Sequence, residues 1–123
     1  MGSKLSNTGM HEVGIMESAM AAVLEQARAH GARKVHRIVI RVGALSGVEP
    51  EALQFAFEIV ARDTAAEGAE LVIDTVPAVA RCPDCELEFE ASSGFIFACP
   101  RCSRLSGDLR KGRELELSQI EMS

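Results

Sequence analysis

Residues 82–102 read CPDCELEFEASSGFIFACPRC and hold all four cysteines of the chain, as two Cys-Pro-x-Cys pairs. Two residues between cysteines let both sulfur atoms of a pair turn toward one point. Two such pairs can form a tetrahedral cage of four sulfurs, which suits zinc. The proline that follows the first cysteine of each pair restricts φ and favours the turn. The segment therefore predicts a zinc-binding module whose ligands are Cys82, Cys85, Cys99 and Cys102.

Other uses of paired cysteines remain open at this point. Four cysteines could form two structural disulfides, with three possible connectivities, or one pair could be a redox motif in a thioredoxin-like setting. We favour zinc because the pairs lie close together and no secretory signal argues for an oxidising compartment. A closed site of four sulfurs leaves no position for substrate or water. The zinc is therefore expected to be structural, and the function has to lie elsewhere in the chain.

Composition excludes several classes of partner. The chain of 123 residues has a formal net charge of -5, five phenylalanines, and no tryptophan or tyrosine. The core must be aliphatic, and there is no aromatic platform on which bases could stack. Between Cys82 and Gly107 four acidic residues outnumber two arginines, so the module should repel nucleic acid. No apolar run is long enough to span a membrane, and no export signal is recognisable, so we expect a cytoplasmic protein.

Hydrophobic periodicity outside the cysteine segment predicts two helices and three strands. In the strand that follows the first helix, isoleucine and valine on one face alternate with arginine and valine on the other. In the last strand the apolar residues change parity, which predicts a β-bulge near Ser118 and Gln119. Pro77 implies that the second of the three strands along the chain lies at an edge of the sheet or contains a bulge. In chain order, the expected elements are a helix over His11–His30, a strand over Lys34–Val42, a helix from Pro50 to about Thr64, a strand over Glu70–Val79 and a strand over Arg113–Met122.

The expected fold is α+β, with two helices packed on a small mixed three-stranded sheet and an inserted zinc-ribbon-like module. Residues 10–81 and 108–123 would form the main domain, and residues 82–107 the module. Residues 1–9 are small, polar and aperiodic, and are expected to be a disordered leader or a cloning scar outside the fold.

A second set of candidate metal ligands opens the first helix, at Met10-His11-Glu12. An imidazole, a neighbouring carboxylate and adjacent backbone nitrogens can approach one ion, and such nitrogen and oxygen donors favour Ni(II) or Cu(II) over zinc. The alternative is structural, because a carboxylate near a helix N-terminus is favourable whether or not it binds a metal. Spacing alone leaves both interpretations open.

The order of these motifs resembles one family. Met-His-Glu opens a helix, Arg41-Val42-Gly43 is followed by Leu45-Ser46-Gly47-Val48, and a double Cys-Pro-x-Cys module precedes a strand rich in glutamate and leucine. Over residues 10–122 the chain resembles the HypA/HybF family of nickel metallochaperones, which help to mature NiFe hydrogenases and, in some bacteria, urease.

The resemblance implies a structural zinc on the four cysteines and a nickel site in which His11 is the essential ligand, Glu12 is its neighbour and Met10 supplies a terminal amine. It implies transfer of a metal ion, without enzymatic catalysis. The implied partners are a HypB-type GTPase, the hydrogenase large-subunit precursor and, in some members, urease accessory proteins. The sequence leaves open a homodimer, and also a zinc-ribbon adaptor that binds protein without transferring nickel.

The chain departs from the family pattern in one respect. In the family the methionine of Met-His-Glu is the first residue, whereas here nine residues precede Met10. A free α-amine, with a pKa of about 8, is a better donor near neutral pH than an amide that must lose its proton. If residues 1–9 are a scar or a misassigned start, which we favour, the native site is intact. If they are genuine, nickel would use a deprotonated amide with His11 and Glu12, and bind more weakly.

Overall fold

The computed structural model describes residues 3–4, 12–91 and 97–123, and this part of the chain forms two helices and seven strands. Neither helix is both long and apolar enough to cross a membrane. In chain order, the elements are β1 (Ser3–Lys4), α1 (Glu12–Ala29), β2 (Val35–Gly43), α2 (Pro50–Val60), β3 (Glu70–Val76), β4 (Val79–Arg81), β5 (Glu88–Glu90), β6 (Leu109–Lys111) and β7 (Leu115–Met122).

The main sheet is mixed, with strand order β1-β7-β2-β3. β3 runs parallel to β2 and β7 runs antiparallel to it, so the two helices and three strands predicted for this sheet are all present. The fourth strand corrects the expectation that residues 1–9 lie outside the fold, because Ser3–Lys4 pairs with Leu117 and Glu116 of β7. Strand pairing uses backbone groups, and β7 would otherwise be an unpaired edge. Side-chain periodicity cannot reveal a contact of this kind.

Both helices pack on one face of this sheet. Ile38, Ile40 and Val42 point into the core, as their alternation predicts, and α2 contributes Leu53 and Phe57. The buried side chains of α1 are Ile15, Met16, Ala19, Met20, Val23 and Ala27. The main core is therefore almost entirely aliphatic.

The opposite face of the sheet carries ion pairs. Arg37 contacts Glu121 at 3.0 Å and Glu70 at 3.4 Å, and Arg41 contacts Glu116 at 2.9 Å. The partners lie on strands flanking β2, so these contacts favour the observed register of the three strands.

Two bulges set which side chains reach the core. Val39 pairs with Gln119 while Ile40 pairs with Leu117, so Ser118 is the extra residue, and the bulge predicted there is confirmed. It returns Ile120 and Met122 to the helix-covered face. A second register shift lies between Val35 and Arg37. It buries Val35 and leaves His36 exposed.

The strand expected over Glu70–Val79 is divided at Pro77. β3 ends at Val76, and Val79–Arg81 forms β4 in a second sheet of order β5-β4-β6. Proline cannot donate a ladder hydrogen bond, so the chain leaves the first sheet there. The second sheet and both cysteine pairs are called the cysteine module below (residues 79–111). Its strands extend beyond the predicted boundaries of 82 and 107.

The module joins the main sheet through a close backbone contact between two glycines. Gly43 donates to the carbonyl of Glu114 at 2.7 Å, and Leu45 donates to the carbonyl of Gly112 at 2.6 Å. A Cβ on Gly43 would collide with the carbonyl of Gly112 and lie 2.6 Å from the nitrogen of Glu114. Gly112 has a φ of 126°, and a Cβ there would lie 2.9 Å from the Cα of Ala78. Both positions require glycine.

We expect Gly43→Ala to lower the free energy of unfolding by about 1–3 kcal/mol, because the methyl group would push apart backbone segments that cannot rotate away. Gly107→Ala is the matched control, because nothing lies within 4 Å of a Cβ at that position. This substitution should change the free energy of unfolding by no more than about 0.5 kcal/mol. Denaturant midpoints of the two variants measure the difference. Equal midpoints would show that the junction tolerates a side chain.

Candidate metal centre

The four cysteines converge on one point. One sulfur from each of Cys82, Cys85, Cys99 and Cys102 lies within 4.8 Å of every other, and the sulfurs of Cys82 and Cys102 are 3.6 Å apart. A tetrahedral ion with metal–sulfur bonds of about 2.3 Å places its ligands roughly 3.8 Å apart. The cluster therefore fits a metal ion of that geometry, and no disulfide joins these cysteines.

Each cysteine pair is held by the same backbone turn. The N–H of Glu86 donates to the carbonyl of Cys82, and the N–H of Ser103 donates to the carbonyl of Cys99, at 2.9 and 2.8 Å. Glu86 and Ser103 have φ of 54° and 65°, so the chain reverses at the fourth residue after each first cysteine. The N–H of Arg101 also points at the sulfur of Cys99, at 3.4 Å. The repeated turn orients both sulfurs of each pair toward the same point.

The thiols are electrostatically unequal. Burial, reinforced by the neighbouring thiols, raises the pKa of Cys85 to about 12. Burial also opposes ionisation of Cys99, but the backbone N–H groups of Cys102 and Arg101 hold its pKa at about 7, below the ordinary value of 9.0. Without a cation, four crowded thiolates would repel one another. A divalent metal supplies the missing positive charge, so its binding must release protons and weaken as the pH falls.

The apolar core that the structure describes for the module is small. Its buried core consists of Ala80, Cys82, Phe89 and Cys99, with Cys85, Leu87 and Phe97 packed against it. Arg104 bridges the two turns by donating to both carboxylate oxygens of Asp84 at 2.7 Å, although both side chains are more than half exposed. An exposed ion pair contributes little. The metal ligands therefore add a second link between the two halves of the module, beside the pairing of β4 with β6.

The second predicted cluster is described only in part. Met10 and His11 lie outside the described residues, and Glu12 is the first residue of α1. The carboxylate of Glu12 accepts a hydrogen bond from the backbone N–H of Glu49 at 3.0 Å. Glu49 immediately precedes Pro50, the first residue of α2, and ends the loop that follows Gly43, the last residue of β2. The start of α1 is thus tied to the start of α2.

Sequence reasoning missed this connection. Residues 41–48 were recognised as a motif, but the contact of Glu49 with Glu12 joins residues far apart in the chain. Among the features that were missed, only the left-handed turn residues Glu86 and Ser103 could have been found from the sequence. Each is the fourth residue after the first cysteine of its pair, Cys82 or Cys99. No sequence pattern indicated the ion pair between Asp84 and Arg104.

Comparison with known proteins gives a consistent result. The model of a protein family described as "Hydrogenase/urease nickel incorporation, metallochaperone, hypA" matches residues 10–122. A hydrogenase maturation factor HypA from Chloroflexus aurantiacus is 41% identical over 112 residues, which cover 91% of this chain and 98% of that protein. One from a Picosynechococcus species is 44% identical over 113 residues, covering 92% and 99%. The solution structure of the Ni metallochaperone HypA from Helicobacter pylori matches with a TM-score of 0.61 and 25% identity, covering 92% of this chain and 97% of the other.

We expect Glu12→Ala to lower the free energy of unfolding by about 1 kcal/mol, because the N–H of Glu49 loses its acceptor. Glu12→Gln retains an oxygen acceptor, so it should lower the free energy of unfolding by less than Glu12→Ala does. Glu17→Ala, an exposed position on the same helix, is the control and should change by no more than about 0.5 kcal/mol. Thermal or denaturant unfolding without added metal measures all three. A Glu12→Ala midpoint equal to that of the control would mean that the contact contributes nothing to stability.

Proposed function

Because the chain belongs to the HypA family of hydrogenase and urease nickel incorporation, we propose that it is a nickel metallochaperone. In this proposal it binds Ni(II) at Met10, His11 and Glu12 and passes the ion on during maturation of a NiFe hydrogenase, or of urease. The observation that carries the proposal is the family match over residues 10–122, which begins at the methionine of Met-His-Glu. The role is binding and delivery of an ion, without covalent turnover.

The cysteine cluster would hold the resident zinc of this protein. Four converging sulfurs and a small module core support a structural ion, since a module this small gains much of its folding free energy from the metal. Zinc bound by Cys82, Cys85, Cys99 and Cys102 has no open position. Nickel exchange therefore belongs to the other cluster.

The start of α1 suits an exchangeable ion. Glu12 is only partly buried, and its contact with Glu49 anchors one proposed ligand on two helix starts. The imidazole of His11, adjacent backbone nitrogen and the carboxylate of Glu12 form a donor set that favours Ni(II). If Met10 is the native first residue, its amine completes the set.

The proposed partners follow from the family role. A HypB-type GTPase would exchange nickel with this chain, and the hydrogenase large-subunit precursor would receive it, in the cytoplasm. Urease accessory proteins are the corresponding partners if urease is the client.

Nickel titration tests the proposal most simply. We expect a chain that starts at Met10 to bind Ni(II) roughly tenfold or more tightly than one that starts at Met1, because the amine replaces an amide. His11→Ala should abolish this binding in either chain. His30→Ala is the matched control, since the His30 ring contacts the carbonyl of Gln26 at 2.8 Å at the end of α1. Calorimetry with the cysteine cluster already loaded with zinc measures each affinity.

Equal nickel affinity in the Met1 chain, the Met10 chain and His11→Ala would contradict the assignment of the site. Protein purified without chelator that carries zinc and takes up no nickel would favour the alternative, a zinc-ribbon adaptor that binds other proteins.

A further inference from the structure

The outer side of α2 exposes two large apolar side chains one helical turn apart. Phe55 is 65% exposed and Ile59 is 42% exposed. Residues four apart on a helix are neighbours, so the two side chains form one stripe, called here the outer stripe of α2. α2 packs on the core through Leu53, Ala56 and Phe57, and the fold does not need the outer stripe.

The exposure of Phe55 is unusual within this chain, which has five phenylalanines and no tryptophan or tyrosine. Among the described phenylalanines, Phe57 and Phe89 are buried and Phe97 is partly buried. Adjacent exposed aromatic and aliphatic side chains on one helix face are typical of a surface that another protein covers.

Acidic residues border the outer stripe on one side. Glu51 and Glu58 are seven residues apart, so they form a row along the helix beside Phe55. Neither carboxylate takes part in an ion pair or side-chain hydrogen bond within residues 12–91 and 97–123. Beyond this row a cleft of about 470 Å³ lies between α2 and β3, and its charged lining is Glu58, Arg62, Glu67 and Glu70. The apolar stripe thus adjoins a surface with excess negative charge.

We propose that the outer stripe of α2 docks an amphipathic helix of a partner protein, whose apolar side chains cover Phe55 and Ile59 and whose lysines or arginines lie over Glu51 and Glu58. Such a segment satisfies both features of the surface. A second copy of this chain fits less well, because it would bring the same acidic rows together on a molecule of net charge -5.

The position of the stripe bears on nickel transfer. Phe55 is six residues from Glu49, about 9 Å along the helix axis. Glu49 contacts Glu12, so a helix docked on the outer stripe lies close to the proposed nickel ligands. The inference rests on the proposed function in taking the partner to be the nickel-handling GTPase.

Affinity for that GTPase, purified from the same organism, tests the docking surface. We expect Phe55→Ala/Ile59→Ala to weaken binding at least tenfold. Glu51→Gln/Glu58→Gln should weaken it less, and should reduce its dependence on salt concentration. Leu105→Ala is the matched control, because Leu105 is 72% exposed on the cysteine module and its loss should change affinity by less than about twofold. All these side chains are at the surface, and unchanged melting temperatures would establish that each variant folds.

Three results would overturn the proposal. The first is no binding of the GTPase by the unaltered chain, and the second is equal loss of affinity in the stripe and Leu105 variants. The third is a self-association, seen by sedimentation, that the stripe substitutions abolish while GTPase affinity is unchanged.

Nickel titration of the same samples keeps the two proposals separate. Nickel binding with no effect of the stripe contradicts only the docking surface, and stripe-dependent GTPase binding without nickel uptake contradicts only the nickel function.

Discussion

The close backbone contact between Gly43 and Gly112 is the constraint on which the arrangement of this molecule depends. It fixes the end of β2 against the strand returning from the cysteine module, through hydrogen bonds of 2.6 and 2.7 Å. The loop that follows Gly43 ends at Glu49, whose N–H donates to the carboxylate of Glu12. A single short segment therefore connects the module, the sheet and the start of α1. A side chain at either glycine would disturb all three.

The described ligands of the two candidate metal sites differ in their burial and in the elements that carry them. The cysteines are placed by two identical backbone turns and by tertiary packing, and two of the four are buried. Ligands that are fixed and partly buried in this way favour an ion that remains bound. Of the proposed nickel ligands, the structure describes only Glu12, which is the first residue of α1 and is partly buried. A partly exposed carboxylate at a helix start suits an ion that exchanges, in keeping with the proposed division between structural zinc and transferred nickel.

Local patterns predicted much of the fold. The alternation along β2, the helical spacing of α1 and α2, and the parity change that locates the bulge at Ser118 all reflect which side chains face one core. The strand Ser3–Lys4 was not predictable in this way, because the pairing of a polar segment through its backbone leaves no hydrophobic pattern. The bulge that exposes His36 was not predicted either. The cysteine cluster was predictable from spacing alone. The contact of Glu12 with Glu49 was not, since it depends on how two helix starts meet in space.

X-ray absorption at the zinc and nickel edges of protein loaded with one equivalent of each metal tests the central claim most directly. The account predicts a zinc edge fitted by four sulfur atoms at about 2.3 Å and a nickel edge fitted by nitrogen and oxygen alone. Sulfur in the nickel shell, or nitrogen in the zinc shell, would contradict it, because the two ions would then share or exchange the cysteine cluster.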